Sequence, residues 1–358
     1  MSVNQVTAAG SVSTRARWAA QNIGRTGPLY VVAAVVVLFL PNIFGGSALI
    51  YETCVLIAIF AIMAYGADFI LSYLGEVSLG HTLFFAAGAY VTAIGTVEHG
   101  WSPWVALAAA LVISAGLAVA VGLFTLRTRE FVFSLVTYGS ALIALTIVSN
   151  TSSLGGTDGL VGIPPLEFPA IGGKYIAGTS EQLWPIAFII LVVVVYFVSR
   201  FRRSRLGIAA TMVQSNRALA GSMGIDARRI RLIVFAISAP VSAVAGWLYA
   251  YQRSYVSPDL FDPYFLLLML TAVILPGRRQ LLGPIIGTAL IVMQQQLFSL
   301  GGLGDDIVLG AVLVVVLVLW PDGLAGLVRA VKDRLLNQSQ EDPGVSDAHV
   351  PDTRKVLS

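Results

Sequence analysis

Apolar residues in this chain run in long blocks separated by short polar or basic stretches. Blocks of roughly 20 mark helices that cross hydrocarbon, where each segment must satisfy its own backbone hydrogen bonds. Ten such segments are predicted: Pro28 to Phe44, Leu49 to Leu71, Gly80 to Val97, Trp104 to Leu126, Phe131 to Ser149, Leu183 to Ser199, Ile230 to Tyr251, Pro263 to Leu275, Pro284 to Leu300 and Ile307 to Trp320. The eighth and tenth are short for a full crossing, so a tilted, unwound or merged segment is expected at each. The expected fold class is an all-α polytopic membrane protein of about ten transmembrane helices, some short or broken.

Composition agrees. Hydrophobic residues make up 57% of the 358 and charged residues 11%, and mean hydropathy is +0.83, which excludes an ordinary soluble domain. Charge then supplies orientation. Threading the segments alternately leaves only Lys174 and Arg253, of 22 basic residues, on one side. The positive-inside rule makes the crowded side cytoplasmic and places both termini there. The net charge of +3 needs no nucleic-acid partner, because the inward bias already accounts for it. The lipid bilayer is the expected surrounding.

Residues 1–27 form a polar, basic cytoplasmic segment leading into an apolar run without a small-x-small cleavage site, as in an uncleaved signal anchor. Residues 28–323 are expected to form the transmembrane domain, with an outer loop over 150–182 and a cytoplasmic stretch over 200–229. Residues 337–358, rich in Gln, Asp, Pro and Ser, are expected to be a disordered cytoplasmic tail.

Several chemistries find no support. Cys54 is the single cysteine, so no disulfide can form within the chain, and His81, His99 and His349 have no second ligand at helical spacing, so no metal site is expected. No G-x-x-x-x-G-K-[ST], G-x-S-x-G or H-E-x-x-H string occurs, and no catalytic residue is assigned. Ionisable residues within the membrane are scarce, the main acidic candidates being Asp68 and Glu76, both near the inner ends of their segments. An ion-coupled carrier acting alone usually needs buried charge at mid-depth, and a membrane-embedded enzyme needs a catalytic cluster. Both remain as alternatives to a transporter whose energy comes from outside this chain.

The stretch over 200–229 is where such energy could enter. Arg217, Ala218, Ala220 and Gly221 precede Gly224, which suits a helix C-terminus, and the small residues would let a short helix seat closely in a partner's groove. A basic solvated loop with a chance helix is the other reading. The segment resembles the coupling helix of ATP-binding-cassette (ABC) permeases. Three further strings are similar to the branched-chain amino acid permeases of the LivM type: Leu74-Gly75-Glu76-Val77-Ser78-Leu79-Gly80-His81 with Phe84-Phe85-Ala86-Ala87-Gly88-Ala89-Tyr90; Leu154-Gly155-Gly156-Thr157-Asp158-Gly159-Leu160 with Gly162-Ile163-Pro164; and Ala245-Gly246-Trp247-Leu248-Tyr249-Ala250 with Tyr255-Val256-Ser257-Pro258. The resemblance covers roughly 49–323.

That resemblance implies a permease subunit paired with a second, LivH-like permease subunit, two ATP-binding subunits that hold ATP and Mg, and an external substrate-binding protein, with no cofactor on this chain. It implies import of a branched-chain amino acid or a related small polar solute, urea and short amides included. Two positions depart from the family pattern. Gln214-Ser215-Asn216 stands where an acidic residue usually begins the coupling helix, and Leu275-Pro276-Gly277-Arg278-Arg279-Gln280 replaces a Gly-Gly run before Leu282-Gly283-Pro284.

Glu76, Ser78, His81 and Thr82 are candidates for the inner lining of the pathway, as are Thr137, Tyr138 and Ser140 and one or more of Gln294, Gln295 and Gln296. Packing is the competing role for each, and Glu76 could cap a helix or pair with an arginine. Gly155, Gly156, Thr157, Asp158 and Gly159 read as tight turns with Asp158 bonding local backbone. By resemblance, their loop would receive the external binding protein.

Overall fold

The computed structural model describes residues 36–125, 130–170, 173–277, 279–297 and isolated positions between 304 and 318. The expected segment 1–27, residues 28–35 of the first predicted span, much of the tenth and the tail 337–358 lie outside the described residues.

The helices are α1 (Ala48–Tyr73), α2 (His81–Val97), α3 (Pro103–Thr125), α4 (Glu130–Ser149), α5 (Ser180–Arg202), α6 (Arg205–Ser215), α7 (Arg217–Ser222), α8 (Ala227–Arg253), α9 (Pro263–Ile274) and α10 (Gly283–Leu297). Five of them, α1, α3, α4 (from Phe131), α5 and α8, are long and apolar enough to cross a bilayer, whereas α2 and α9 are shorter apolar helices. The molecule is thus a helical, multi-pass membrane protein.

Burial separates these helices by role. In its most apolar window α1 is 94% buried, against 22% for α3 and α4. A helix apolar on every side belongs in the middle of a bundle, so α1 forms the centre, flanked by α8, α5 and α10. α8 also packs along α2 and α3. At the α2–α8 crossing a Cβ on Gly246 would fall 1.9 Å from the Phe85 carbonyl oxygen, and one on Gly88 would fall 2.2 Å from that of Ala243. The backbones therefore approach as closely as two glycines allow, a packing mode common between membrane helices.

Local sequence explains the helix ends. Thr179, Ser204, Asn216 and Asp226 cap α5, α6, α7 and α8 through side-chain oxygens that accept from first-turn N–H groups. The stretch over 200–229 is more structured than the sequence reading anticipated. α5 continues to Arg202, and a full helix, α6, lies between it and the short helix. At one end of the bundle sit Arg200, Arg202, Arg228 and Arg229 with α6 and α7; at the other lie Arg253 and residues 150–170 and 173–179.

That second end carries four short strands: β1 (Leu160–Val161), β2 (Leu166–Ala170), β3 (Gly173–Ala177) and β4 (Tyr255–Val256). β2 and β3 form an antiparallel hairpin, with Glu167 opposite Ile176. β1 pairs antiparallel with β4, placing Leu160 opposite Val256. The hairpin was not anticipated from sequence, because Pro169 inside an otherwise alternating run argues against a strand unless that strand lies at an edge.

Candidate functional site

α7 lies outside the long apolar helices and is built for a sharp stop. Asn216 Oδ1 accepts from Leu219 N at 3.0 Å. At the other end Ile225 N donates to Ala220 O and Gly224 N to Gly221 O, both at 3.0 Å. Gly224 has φ +80°, the left-handed residue that closes this cap. Ala220 is buried against the chain, whereas Ala218 and Gly221 are exposed together with Leu219 and Met223, 61% and 64% accessible. A cleft of about 220 Å³ runs beside it, lined by Thr211, Met212, Ser215, Leu219 and Met223.

Arg217, the first residue of α7, reaches back to the loop between α1 and α2. Its guanidinium donates to Glu76 Oε1 at 2.7 Å, and Arg231, in the second turn of α8, donates to Glu76 Oε2 at 2.8 Å. Glu76 and Arg231 are buried, with side chains 1% and 8% accessible, whereas Arg217 is 42% accessible. Arg231 also lies 5.7 Å from the centre of the Phe133 ring. One carboxylate thus joins the short helix α7, the α1–α2 loop and the start of α8. Removing Arg231, the buried partner, costs about 3–5 kcal/mol, because the remaining charge is left in a medium that cannot solvate it.

The other residues of the loop face inward as well. His81 Nδ1 lies 2.9 Å from Ser78 Oγ, and Nε2 lies 3.1 Å from Ser238 Oγ. The Ser238 hydroxyl donates to Phe235 O at 2.8 Å, which leaves His81 Nε2 as donor to Ser238 and Nδ1 as acceptor from Ser78. The Phe84 and Phe235 rings meet the imidazole edge-on at 5.5 and 6.0 Å. Thr137 accepts from Leu79 N at 3.2 Å and donates to Ser134 O, and Ser134 donates to Val77 O at 2.5 Å, so α4 is stitched to the loop.

Glu76, Ser78, His81, Thr82 and Thr137 are all buried, at no more than 3% accessible, so the structure brings these predicted residues together. Ser140 stands apart, donating to Val136 O in its own helix, and Tyr138 is half-buried. The cavity bordered by Glu76 and Arg231 measures about 10 Å³, room for about one water. In α10, Gln296 is exposed, while Gln295 accepts from the Tyr264 hydroxyl at 3.0 Å.

Next to this cluster the two departures from the family pattern meet. Arg279 has φ +63°, a conformation glycine adopts without strain. Its backbone N–H donates to Ser72 Oγ at 3.0 Å, its Nε to Ser72 O at 3.1 Å, and its terminal nitrogen to Gln214 Oε1. Ser72 in turn donates to the buried Asp68 carboxylate at 2.5 Å. Sequence reasoning allowed Glu76 an arginine partner without naming Arg231, noted Arg279 only within a departure from the family pattern, and did not single out Ser238. An arginine at the fifth position of an apolar helix was a usable signal for Arg231, since unpaired charge is not tolerated there.

At the opposite end, Gly155, Gly156 and Gly159 have φ +84°, +55° and +75°, so the turns are as expected. Asp158 differs. Its backbone carbonyl accepts from the Tyr255 hydroxyl at 3.0 Å, and among the described residues its carboxylate makes no bond to the turn. A Cβ on Gly159 would stand 2.4 Å from Val256 O, so the glycine string is packed onto β4. Thr157 and Asp158 are exposed.

The family described as branched-chain amino acid transport system / permease component matches residues 49–317. The high-affinity branched-chain amino acid transport system permease protein LivM of Escherichia coli K12 is 25% identical over 301 residues, covering 78% of this chain and 70% of its own length. LivM of Salmonella typhimurium is 27% identical, covering 76% of this chain and 68% of its own length. LivH of Escherichia coli K12 is 26% identical, covering 80% of this chain and 96% of its own length. No solved structure matches significantly.

Proposed function

This chain belongs to the branched-chain amino acid permease family, and on that premise we propose that it is the transmembrane subunit of an ATP-driven ABC importer for a branched-chain amino acid or a related small polar solute. In this reading ten spans cross a bacterial cytoplasmic membrane with both termini inside. The partners are a second permease subunit of the LivH kind, two ATP-binding subunits that hold ATP and Mg, and an external binding protein docked on the loop that contains Gly155 to Gly159.

The observation that carries the reading is the Glu76 carboxylate shared between Arg217 of α7 and Arg231 of α8. A short helix outside the membrane can move a transmembrane bundle only if it is joined to it rigidly, and two charge-assisted bonds to one buried carboxylate provide that. Leu219 and Met223, exposed on α7, supply an apolar surface for the ATP-binding subunit. Because the space beside Glu76 admits no solute, the cluster of Glu76, Ser78, His81, Thr82 and Thr137 acts as a closed inner gate. Closure of the ATP-binding subunits displaces α7 and, through Glu76, shifts the α1–α2 loop against α8 to open the pathway outward.

The test is reconstitution in proteoliposomes with the partner subunits and a binding protein, scored by uptake of labelled leucine. Uptake is expected to require ATP inside the ATP-binding compartment and to stop when the phosphate-binding lysine of the ATP-binding subunit is replaced. Full-rate uptake without any ATP-binding subunit would overturn the proposal.

A further inference from the structure

The turn between α9 and α10 is held at several points. Tyr65 of α1 donates through its hydroxyl to Leu281 O at 2.5 Å, and within the turn Gly277 N donates to Ile274 O and Gly283 N to Gln280 O, both at 3.1 Å. Beyond it the two helices press together, since a Cβ on Gly287 would stand 2.1 Å from Ala272 O. A force on this turn therefore acts on α9 and α10 as one hairpin.

Arg279, in that turn, is exposed, yet its donors reach two separate elements. Ser72 lies in the last turn of α1, which carries no basic residue of its own and whose final carbonyls have no partner within the helix. Arg279 N and Nε bond Ser72 Oγ and O, supplying donors and a positive charge at that helix end. So far this is a helix cap. The terminal nitrogen goes further than a cap requires, donating to Gln214 Oε1 in the last turn of α6.

Gln214 is held from another side as well. A Cβ on Gly75 would lie 3.0 Å from Gln214 Cγ and Nε2, so the Gln214 amide rests on the backbone of the α1–α2 loop beside Glu76. The α6–α7 junction is thus attached through two nearby side chains, Gln214 to Arg279 and Arg217 to Glu76. A body joined at one point can pivot there, whereas one joined at two carries both attachments when it moves. Arg279 keeps φ +63°, strained for a residue with a Cβ, because its three bonds over-determine it.

We propose that Arg279 is a positioning residue of the transport cycle: by holding Gln214 it couples α6 and α7 to the α9–α10 hairpin, so that displacement of α7 reaches that hairpin as well as α8. The inference rests on the importer reading for the source of the displacement, and on the geometry alone for the attachment.

Gln214→Met keeps the side chain's length and removes the acceptor, whereas Gln214→Glu keeps an acceptor. Hydrogen exchange is measured by mass spectrometry on the full chain in nanodiscs. Amides over 205–222 are expected to exchange about fivefold faster in Gln214→Met, as the loss of one hydrogen bond allows, and at the original rate in Gln214→Glu. Unchanged exchange over α1 shows that both variants are folded. Arg279→Ala is expected to speed exchange over 205–222 by itself and to add nothing to Gln214→Met, because both remove the same bond. In proteoliposomes with the partner subunits, ATP hydrolysed per leucine imported is expected to rise several-fold in Gln214→Met and to return to its original value in Gln214→Glu, a rescue that a role confined to capping α1 would not produce. Unchanged exchange in Gln214→Met, or additive effects of the two substitutions, overturns the attachment. Faster exchange with an unchanged ratio overturns its part in the cycle. ATP-independent uptake by the unaltered protein removes the importer reading and leaves the exchange result standing.

Discussion

Arg217 donates to Glu76 at 2.7 Å across 141 residues of sequence, and through that contact the first residue of a six-residue surface helix is fixed to a buried loop. Because the carboxylate is shared with Arg231, the two arginines separate experimentally. Arg231→Ala leaves Glu76 buried beside a half-exposed cation and is expected to destabilise the protein by about 3–5 kcal/mol. Arg217→Ala removes the more exposed partner and is expected to cost under about 1 kcal/mol while lowering ATP-driven uptake several-fold. Thermal unfolding in detergent and uptake in proteoliposomes measure the two effects. Equal stability losses would show that the shared carboxylate does not distinguish them.

A Cβ on Gly221 would meet nothing within 4 Å, whereas one on Gly246 would overlap the Phe85 carbonyl. Gly221→Trp is therefore expected to fold and insert normally yet separate ATP hydrolysis from uptake, because the bulk lands on the exposed side of α7. Gly246→Leu is expected to lose about 3 kcal/mol or more by forcing α2 and α8 apart. Folded yield from size-exclusion chromatography, read with the ratio of ATP hydrolysed to leucine imported, checks both.

Arg279 keeps a left-handed backbone while its side chain bonds Ser72 O and Gln214. Arg279→Ala loses those bonds and retains the strain; Arg279→Gly loses the bonds and relieves it. The glycine variant should be more stable than the alanine variant by about 1 kcal/mol. Denaturation midpoints of the two variants provide the comparison, and the reverse order would contradict the assigned φ.

Gly159→Ala introduces a side chain at φ +75° and sets its Cβ against Val256 O. The β1–β4 pairing is expected to break, lowering uptake that depends on the binding protein about tenfold while basal ATP hydrolysis of the assembled transporter stays within about twofold, since RT ln 10 of lost docking affinity acts only at that face. Measuring both activities on one preparation tests this.

Much of the architecture was legible because its causes are local. A helix in hydrocarbon must satisfy its hydrogen bonds within one segment, so Leu49 to Leu71 and Ile230 to Tyr251 were readable as α1 and α8 to within a few residues. Gly224 likewise announces the end of α7, since a left-handed cap is a demand made within a few residues, whereas Asn216, read only as a departure from the family pattern, caps its start. What the sequence alone determined was therefore the apolar segments, the crowding of arginine at one end and the presence of a short helix there.

Only the tertiary structure decided which charges pair. Nothing near Glu76 in sequence names Arg217 or Arg231, 141 and 155 residues away. Nor does the glycine string after Leu154 name Tyr255 as the donor to Asp158. Such contacts arise because packing α1 among its neighbours brings the buried Glu76 carboxylate and the Arg231 guanidinium to a place where each would be costly alone.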